Sequence, residues 1–431
     1  MERHYETTMA LGGVLNLLHM TLHRLITIAI VFCCVPCSFS QPTDTSAYPF
    51  IQYDKNILAF PGGIESYTPF YHMLQKLLLD NEGQINIMHI GGSHVQAGVW
   101  TEGLRNTLHT LLPDISVSRG LVFPYKAVGT TQPGDYNVEY GGSWTGCRNT
   151  ERGKDCPLGL MGISASTTDS NAYLMITFRS NRNDVSKFRR LKIFFADGHQ
   201  SYTMTFPNDA GSEVVMDSIP GQSTVLFSRP MDTIYLKLHK TDTAQRSFCC
   251  YGFRIESDKP GLYFDAIGNN GANLSSYLRC GLFQDQLRAI SPDLIILSLG
   301  INDAYTRNFD AERYKTQYRA LLATIHAAVP DCPVLFTTNN DSYYRRRYPN
   351  INGVVVQQAI FELGEEYHGG VWDLYTVMGG HKSINQWVSA RLAQSDRIHF
   401  TRGGYHLIGS LLSEALVKAF MDYHSQHAPG G

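Results

Sequence analysis

A serine in the first quarter of the chain and an Asp-x-x-His segment near its end have the residue types that nucleophilic catalysis requires. Ser93 follows a Gly-Gly pair at the end of a short apolar run, and Asp396–His399 lies just before the last predicted helix. A serine hydroxyl is a poor nucleophile until a base takes its proton. His399 is the predicted base, and Asp396 is near enough in sequence to hold the imidazole in one tautomer. The pattern predicts a catalytic triad of Ser93, Asp396 and His399.

Serine attack on a carbonyl also requires donors to the developing oxyanion, and three are predicted. They are the backbone N–H of Ser93, the backbone N–H of Gly271 in a glycine-rich segment, and the side-chain amide of Asn302. Gly271 is preferred to Gly268, the other candidate in that segment. Loss of one such donor typically costs roughly 3–4 kcal/mol of transition-state stabilisation.

Each of these segments also has an ordinary structural interpretation. Ser93 would serve as a helix N-cap, Asn302 as part of a plain turn, and Asp396 as the start of a surface helix. His89 and His94, which flank the Gly-Gly pair and the serine, are predicted to pack or to make hydrogen bonds rather than to catalyse. The combination of segments, each near a predicted strand or helix, favours the catalytic interpretation, because active-site groups gather at the carboxyl ends of parallel strands.

The elements that must position these residues alternate between strands and helices outside one long β-rich region. Buried strands are predicted at 84–90, 293–299, 333–338 and 371–377, and helices at 70–79, 100–112, 311–329, 353–368 and 402–423. This alternation predicts an α/β fold with a parallel sheet and helices on both faces. Residues 118–260 show short alternating runs between turn residues, which predicts an inserted β-sandwich or jelly roll.

The four segments, in this order, resemble the four blocks of the SGNH (GDSL-like) hydrolase family. The family's Gly-Asp-Ser block corresponds to Gly91–Ser93, its glycine block to 265–272, its Gly-x-Asn-Asp block to 300–303 and its Asp-x-x-His block to Asp396–His399. The resemblance covers about 85–115 and 262–415. It implies a flavodoxin-like three-layer sandwich and a serine esterase without metal or organic cofactor. One departure is Gly92, where the family has aspartate; a Gly-x-Ser-x-Gly motif is also absent, which argues against an α/β-hydrolase elbow.

A closer resemblance is to exported esterases that carry a carbohydrate-binding-like β domain between the serine and glycine blocks. It implies removal of O-acetyl groups from peptidoglycan or another polysaccharide, with an O-acetylated glycan as partner. Asn339, Asn340, Asp341 and Tyr343 follow a predicted strand and are predicted to contact the sugar, with a solvated loop as the alternative. Two other functions remain open: a lipase or thioesterase, and a glycan-binding protein whose catalytic site has decayed.

The remaining features concern location and domain limits. A basic flank, an 11-residue apolar run at 25–35 and small residues before Gln41 predict a cleaved signal peptide in 1–40 and export to the periplasm or the exterior. A lipid anchor on Cys37 is the alternative, and no later segment predicts a membrane span. The hydrolase domain is predicted at 41–117 and 261–425.

A net charge of −2 argues against nucleic acid as a partner. Cys147 and Cys156, in one glycine-rich loop, are the best candidates for a disulfide, and no cysteine–histidine spacing predicts a zinc site. The oligomeric state is not predicted.

Overall fold

The computed structural model describes residues 47–179, 187–217 and 221–427. Twenty strands lie in these ranges; in chain order they are β1 Leu58–Ala59, β2 Gln84–Gly91, β3 Ser116–Arg119, β4 Leu121–Val122, β5 Tyr136–Gly141, β6 Thr145–Arg148, β7 Ile163–Thr167, β8 Tyr173–Phe178, β9 Phe188–Phe195, β10 Thr203–Thr205, β11 Glu213–Met216, β12 Gln222–Met231, β13 Thr233–His239, β14 Phe248–Glu256, β15 Gly261–Gly268, β16 Leu294–Ser298, β17 Val334–Thr337, β18 Tyr343–Tyr344, β19 Tyr348–Pro349 and β20 Gly370–Trp372.

Ten α-helices lie in the same ranges; they are α1 Thr68–Asp80, α2 Ser93–Gln96, α3 Val99–Leu111, α4 Leu274–Tyr277, α5 Phe283–Ile290, α6 Ala311–Ala328, α7 Asn352–Glu366, α8 Leu374–Val377, α9 Ile384–Ser389 and α10 Arg402–His427. The helices predicted at 70–79, 100–112, 311–329, 353–368 and 402–423 correspond to α1, α3, α6, α7 and α10. Three short 3-10 turns are also present: Tyr53–Lys55, Glu65–Tyr67 and Tyr125–Val128. None of the helices in the described ranges combines the length and apolarity that a membrane crossing requires.

The first sheet has the strand order β1-β20-β17-β16-β2-β15-β3 and is parallel except for the antiparallel edge strand β1. Side chains of β16 alternate between its two faces: Leu294 and Ile296 pack in the cluster that contains α1, α3 and α10, whereas Ile295 and Leu297 pack in the cluster that contains α5, α6 and α7. Alternation of this kind buries both faces under helices. The fold is therefore the three-layer SGNH-type sandwich that the sequence predicts, and β2, which leads to Ser93, lies inside the sheet.

Two antiparallel sheets are built from strands that interleave along the chain between β3 and β15. One has the order β10-β13-β8-β5, and the other has the order β11-β12-β9-β14-β7-β6 with β4 paired to β14. Their apolar faces share one buried cluster, and the rings of Phe178 in β8 and Phe188 in β9 meet edge to face at 5.8 Å. This arrangement is that of an all-β sandwich, as predicted. The exact limits 118 and 260 for an inserted domain stay a prediction.

The structure corrects three sequence-based expectations. The strand predicted at 371–377 ends at Trp372, because Asp373 caps α8 by accepting a hydrogen bond from the N–H of Thr376 at 3.3 Å. The segment 265–272 is not wholly a loop, since its first four residues belong to β15. The lead-in before residue 69 contains β1, a strand too short to show a periodic pattern.

The predicted disulfide is confirmed, since Cys147 is joined to Cys156 with their Cα atoms 6.6 Å apart. Within the described residues Cys249, Cys250, Cys280 and Cys332 are free. The predicted signal peptide in 1–40 and the alternative anchor Cys37 lie outside the described residues.

Candidate active site

Ser93 is placed by the turn from β2 into α2. Gly92 precedes the helix, and Ser93 is its first residue. The carbonyl of Gly92 accepts hydrogen bonds from the N–H groups of Val95 and Gln96 at 3.1 and 3.0 Å, which closes the turn tightly. The side chain of Ser93 is half-buried. The buried strand β2 ends at Gly91, Gly92 forms the turn, and the helix begins at once with Ser93.

Asp396 and His399 lie in a compact loop that the chain closes on itself. Ala393 and Phe400 form an isolated antiparallel bridge across it, and α10 begins soon afterwards at Arg402. Inside the loop, Oδ1 of Asp396 accepts hydrogen bonds from the backbone N–H groups of Ile398 and His399, both at 3.0 Å. The aspartate therefore fixes the loop as well as facing the imidazole.

The structure brings Ser93, His399 and Asp396 into one chain of hydrogen bonds. Nδ1 of His399 is 2.7 Å from Oδ2 of Asp396, and Nε2 of His399 is 2.9 Å from Oγ of Ser93. Burial opposes ionisation of Asp396, but hydrogen bonds from the His399 ring and from two backbone N–H groups outweigh it and lower the pKa of the carboxyl group. The ionised carboxylate can only accept, so Nδ1 of His399 carries the proton and Nε2 accepts from the serine hydroxyl.

The three predicted oxyanion donors belong to segments that meet beside Ser93. The side-chain amide of Asn302 gives one proton to the carbonyl of Ala272 at 2.8 Å, which leaves its second proton for another acceptor. Gly271 has φ +81°, is exposed, and its N–H has no acceptor among the described residues. Gly268, by contrast, pairs with Gly91 inside the sheet and is packed against α2. The geometry therefore supports the choice of Gly271 over Gly268.

Comparison with known proteins adds two findings. The model of the GDSL-like lipase/acylhydrolase family matches residues 242–407. The chain carries a GDSL-like acylhydrolase domain. Domains of this family hydrolyse carboxylic esters, so the chain is a carboxylic ester hydrolase. The matched range contains Gly271, Asn302, Asp396 and His399 but not Ser93, so the place of the serine in this site rests on the hydrogen-bond geometry.

Solved structures give the second finding. A peptidoglycan O-acetylesterase has a TM-score of 0.72 to this chain at 21% identity, covering 85% of this chain and 99% of that one. An acetyl xylan esterase matches with a TM-score of 0.29 at 18% identity over 36% of this chain and 80% of that one. A GDSL-like lipase from Bacteroides thetaiotaomicron has a TM-score of 0.30 at 18% identity, over 36% and 76%. The first likeness shows the fold, including the β-rich region. A search of curated protein sequences gave no match.

Gly92 lies at the position where the sequence resemblance leads us to expect an aspartate. A Cβ atom built on Gly92 would lie 3.1 Å from Nδ2 of Asn302 and 3.3 Å from the carbonyl oxygen of Ala272. Both contacts are close, so a side chain here would press on the amide that is predicted to bind the oxyanion. The glycine therefore lets Asn302 approach the turn that carries Ser93.

The four residues predicted to contact the sugar are buried in the GDSL-like domain. Asn340 donates to the carbonyls of Asp341 and Ile398 at 2.9 and 3.0 Å, and the Tyr343 hydroxyl accepts from Asn385 at 2.7 Å. Asp341 accepts from the N–H of Ile384 at 3.1 Å, and Asn339 is 8% exposed. This burial does not support direct sugar contact. It indicates instead that Asn340 braces the loop of His399.

Two buried histidines lie near the turn that carries Ser93. His89 is fully buried and its Nε2 is 2.8 Å from Oγ of Ser298, in keeping with the predicted packing role. His94 is buried too, and its Nδ1 is 2.8 Å from the hydroxyl of Tyr405. Burial, with a smaller effect of nearby His399, lowers the pKa of His94 to about 3, so its ring is neutral.

Gln96 is a residue that sequence reasoning missed. Its Oε1 accepts the N–H of Asn270 at 2.6 Å, and its Nε2 donates to the carbonyl of Thr131 at 2.7 Å. The side chain thus ties the segment that carries Gly271 to the helix that carries Ser93. The available signal was its position three residues after the serine on the same short helix.

Proposed function

We propose that the chain is a serine esterase that removes O-acetyl groups from an extracellular glycan, with O-acetylated peptidoglycan as the first candidate substrate. The observation that carries the proposal is the hydrogen-bond chain from Ser93 through His399 to Asp396, with Asn302 and Gly271 offering free donors beside it. The likeness to a peptidoglycan O-acetylesterase over 85% of the chain supports the choice of substrate.

The reaction proceeds in two steps through an acyl-enzyme. His399 takes the proton of Ser93 as Oγ attacks the acetyl carbonyl, and the tetrahedral oxyanion receives hydrogen bonds from the N–H groups of Ser93 and Gly271 and from the Asn302 amide. His399 then gives its proton to the departing sugar oxygen, which leaves acetyl-Ser93. Water loses a proton to the same imidazole as it attacks the acetyl carbon. The bond from the acetyl carbon to Oγ then breaks, His399 returns the proton to Oγ of Ser93, and acetate leaves.

The segments that carry the predicted oxyanion donors favour a short acyl group on a polar alcohol. They present Asn270, Gly271 and Asn302, which are polar or lack a side chain. A lipase would need an apolar channel for its acyl chain. An apolar cavity of about 610 Å³ does exist, but it lies between α1, α3 and α10, and none of its lining residues belongs to the site.

Acetate release tests the proposal. The wild type, Ser93→Ala and the control Ser425→Ala, which changes an exposed serine at the far end of α10, are incubated with O-acetylated peptidoglycan and with acetylxylan. Wild type and control should release acetate from at least peptidoglycan, whereas Ser93→Ala should be at least about 10³-fold slower, because the nucleophile is gone.

The other outcomes assign other functions. Undiminished acetate release by a correctly folded Ser93→Ala variant would show that the nucleophile is wrong. Turnover of long-chain p-nitrophenyl esters without acetate release from either glycan would indicate a lipase. Glycan binding without hydrolysis of any ester would indicate a decayed site.

A further inference from the structure

A short hairpin beside the site carries three consecutive arginines. Its strands β18 and β19 pair Tyr343 with Pro349 and Tyr344 with Tyr348. Residues 345–347, all arginine, form the tip, and all three are exposed. We call residues 343–349 the arginine hairpin.

The tip of the arginine hairpin has a backbone conformation that arginine rarely adopts. Arg345 and Arg346 have φ of 51° and 60°, and the N–H of Arg347 donates to the carbonyl of Tyr344 at 3.2 Å. Two consecutive positive φ values are typical of a type I′ turn, for which Asn-Gly is the usual sequence. Non-glycine residues rarely adopt this conformation, and such strain concentrates at functional sites. Glycine would relieve the strain, which makes the two arginine side chains candidates for a functional role.

The arginine hairpin contacts the loops on both sides of the candidate active site. The N–H of Tyr343 donates to the carbonyl of Arg397 at 3.0 Å, and the guanidinium of Arg397 donates to the carbonyl of Arg346 at 2.9 Å. Arg397 lies between Asp396 and His399 in sequence. On the other side, the N–H of Arg345 donates to the hydroxyl of Tyr305, three residues after Asn302, at 2.8 Å.

Five guanidinium groups gather at the hairpin. Arg307 and Arg397 join the three of the tip, and no carboxylate among the described residues lies within 4 Å of any of the five as an ion pair. Tyrosine rings hold three of them instead: Arg345 over Tyr344 at 5.3 Å, Arg307 over Tyr348 at 5.8 Å and Arg397 over Tyr343 at 4.8 Å. Stacking orders a guanidinium but leaves its charge and its N–H groups available. In a chain of net charge −2, this local excess of positive charge is distinctive.

We propose that the arginine hairpin is a subsite for carboxylate groups of the acetylated glycan, so that the preferred substrate is an acidic polymer. The inference rests on the proposed function for the identity of the neighbouring site. Guanidinium matches carboxylate through paired N–H donors, and a row of three exposed arginines suits a polymer with repeated carboxylates. The contacts with Arg397 and Tyr305 place this subsite beside the loops that carry His399 and Asn302, within reach of a polymer whose acetylated unit lies at Ser93.

Binding in a Ser93→Ala background tests the subsite without turnover. The probes are soluble fragments of O-acetylated peptidoglycan and the same fragments with their carboxylates converted to primary amides, titrated by calorimetry at low salt. The Ser93→Ala protein should bind the acidic fragments about 5- to 20-fold more tightly than the amidated ones. Added Arg345→Gln, Arg346→Gln and Arg347→Gln substitutions should abolish that preference, and Arg346→Gly alone should reduce it while relieving the strained turn.

A matched control removes three positive charges elsewhere. Lys76→Gln, Arg189→Gln and Lys418→Gln, in α1, β9 and α10, should keep the preference for acidic fragments. The subsite is disproved if the hairpin variant keeps the preference, if the control loses it equally, or if acidic and amidated fragments bind alike or not at all.

Acetate release, measured separately with Ser93 intact, distinguishes the two proposals. Preferred binding that depends on the hairpin, with no acetate released from any glycan, would overturn the proposed function and keep the subsite. Acetate release from peptidoglycan with equal kcat/KM in the wild type and the hairpin variant would keep the function and overturn the subsite.

Discussion

Replacement of Asp396 by asparagine should disable the site by changing one proton position. Oδ1 of Asp396 accepts two backbone N–H groups, those of Ile398 and His399, both at 3.0 Å. An asparagine must keep its carbonyl oxygen there, because its NH₂ group would face two donors. Its NH₂ group then occupies the place of Oδ2, 2.7 Å from Nδ1 of His399 in the wild type, and donates to that nitrogen.

The substitution changes which nitrogen of His399 carries the proton. With Nδ1 as acceptor, the neutral imidazole carries its proton on Nε2, which lies 2.9 Å from Oγ of Ser93. Nε2 can no longer take the serine proton. A wrong tautomer of this kind costs about 10⁴ in kcat, equivalent to about 5.5 kcal/mol of activation free energy. Asp396→Asn should therefore reduce kcat for p-nitrophenyl acetate by about 10⁴, with little change in KM.

Two measurements decide whether this reasoning holds. Nitrogen NMR of His399 should show the proton on Nδ1 in the wild type and on Nε2 in Asp396→Asn. A control, Asp422→Asn on α10, should leave both kcat and the tautomer unchanged. Retention of more than a tenth of the wild-type kcat by a folded Asp396→Asn protein would refute the role given to Asp396, and so would an unchanged tautomer.

Three further substitutions have expected outcomes of different kinds. Asn302→Ala removes one oxyanion donor and should lower kcat by about 10²–10³ in the same ester assay, with KM nearly constant. Burial raises the pKa of Asp303 to about 6 from its ordinary 3.8, so its ionisation costs the folded state about 3 kcal/mol above pH 6 and nothing below pH 3.8. Asp303→Asn should therefore raise the free energy of unfolding at pH 7.5 but not at pH 3.5, as measured by urea titration. The carboxylate of Asp135 accepts hydrogen bonds from Arg105 and Arg119 at 2.8 and 2.7 Å, and all three side chains are buried. Asp135→Asn should destabilise the protein by about 3–5 kcal/mol in the same titration, because it removes the negative charge that both buried guanidinium groups contact.

The sequence was sufficient to predict the parts of the site that depend on short local patterns. An aspartate three residues before a histidine is within reach of it in almost any turn, and a serine after a strand and two glycines must lie at the carboxyl end of that strand. Ser93 and His399 are 306 positions apart, yet they meet. The strand β2 lies inside a sheet whose strands, apart from the edge strand β1, are parallel and deliver their loops to one edge.

Features that depend on packing could not be predicted in the same way. Asn340 and Tyr343 have the composition of an exposed sugar-binding loop, but both are buried and hydrogen-bonded within the protein. Polarity alone does not distinguish a buried, satisfied side chain from an exposed one. Three consecutive arginines have the sequence pattern of an ordinary charge run. Neither the positive φ values of Arg345 and Arg346 nor the lack of ion pairs among the described residues can be recognised without the fold.

The long β-rich region interrupts the hydrolase sequence without separating the residues of the site in space. It leaves the first sheet through β4 and returns through β14, and these two strands pair antiparallel, Leu121 with Arg254. Asp265, fully buried in β15, accepts the N–H of Leu121 at 2.7 Å and the guanidinium of Arg254 at 3.1 Å. The two ends of the region are thus fastened to the strand that leads into Gly271. The ends of the long β-rich region are joined at this point, so the entropy lost in closing the loop is offset by contacts away from the site. The strand β15 stays in parallel register with β2 as far as Gly91. That register keeps the segment that carries Gly271 next to the turn that carries Ser93, since a Cβ atom on Gly92 would lie 3.3 Å from the carbonyl oxygen of Ala272. The family match begins only at residue 242 and excludes the serine.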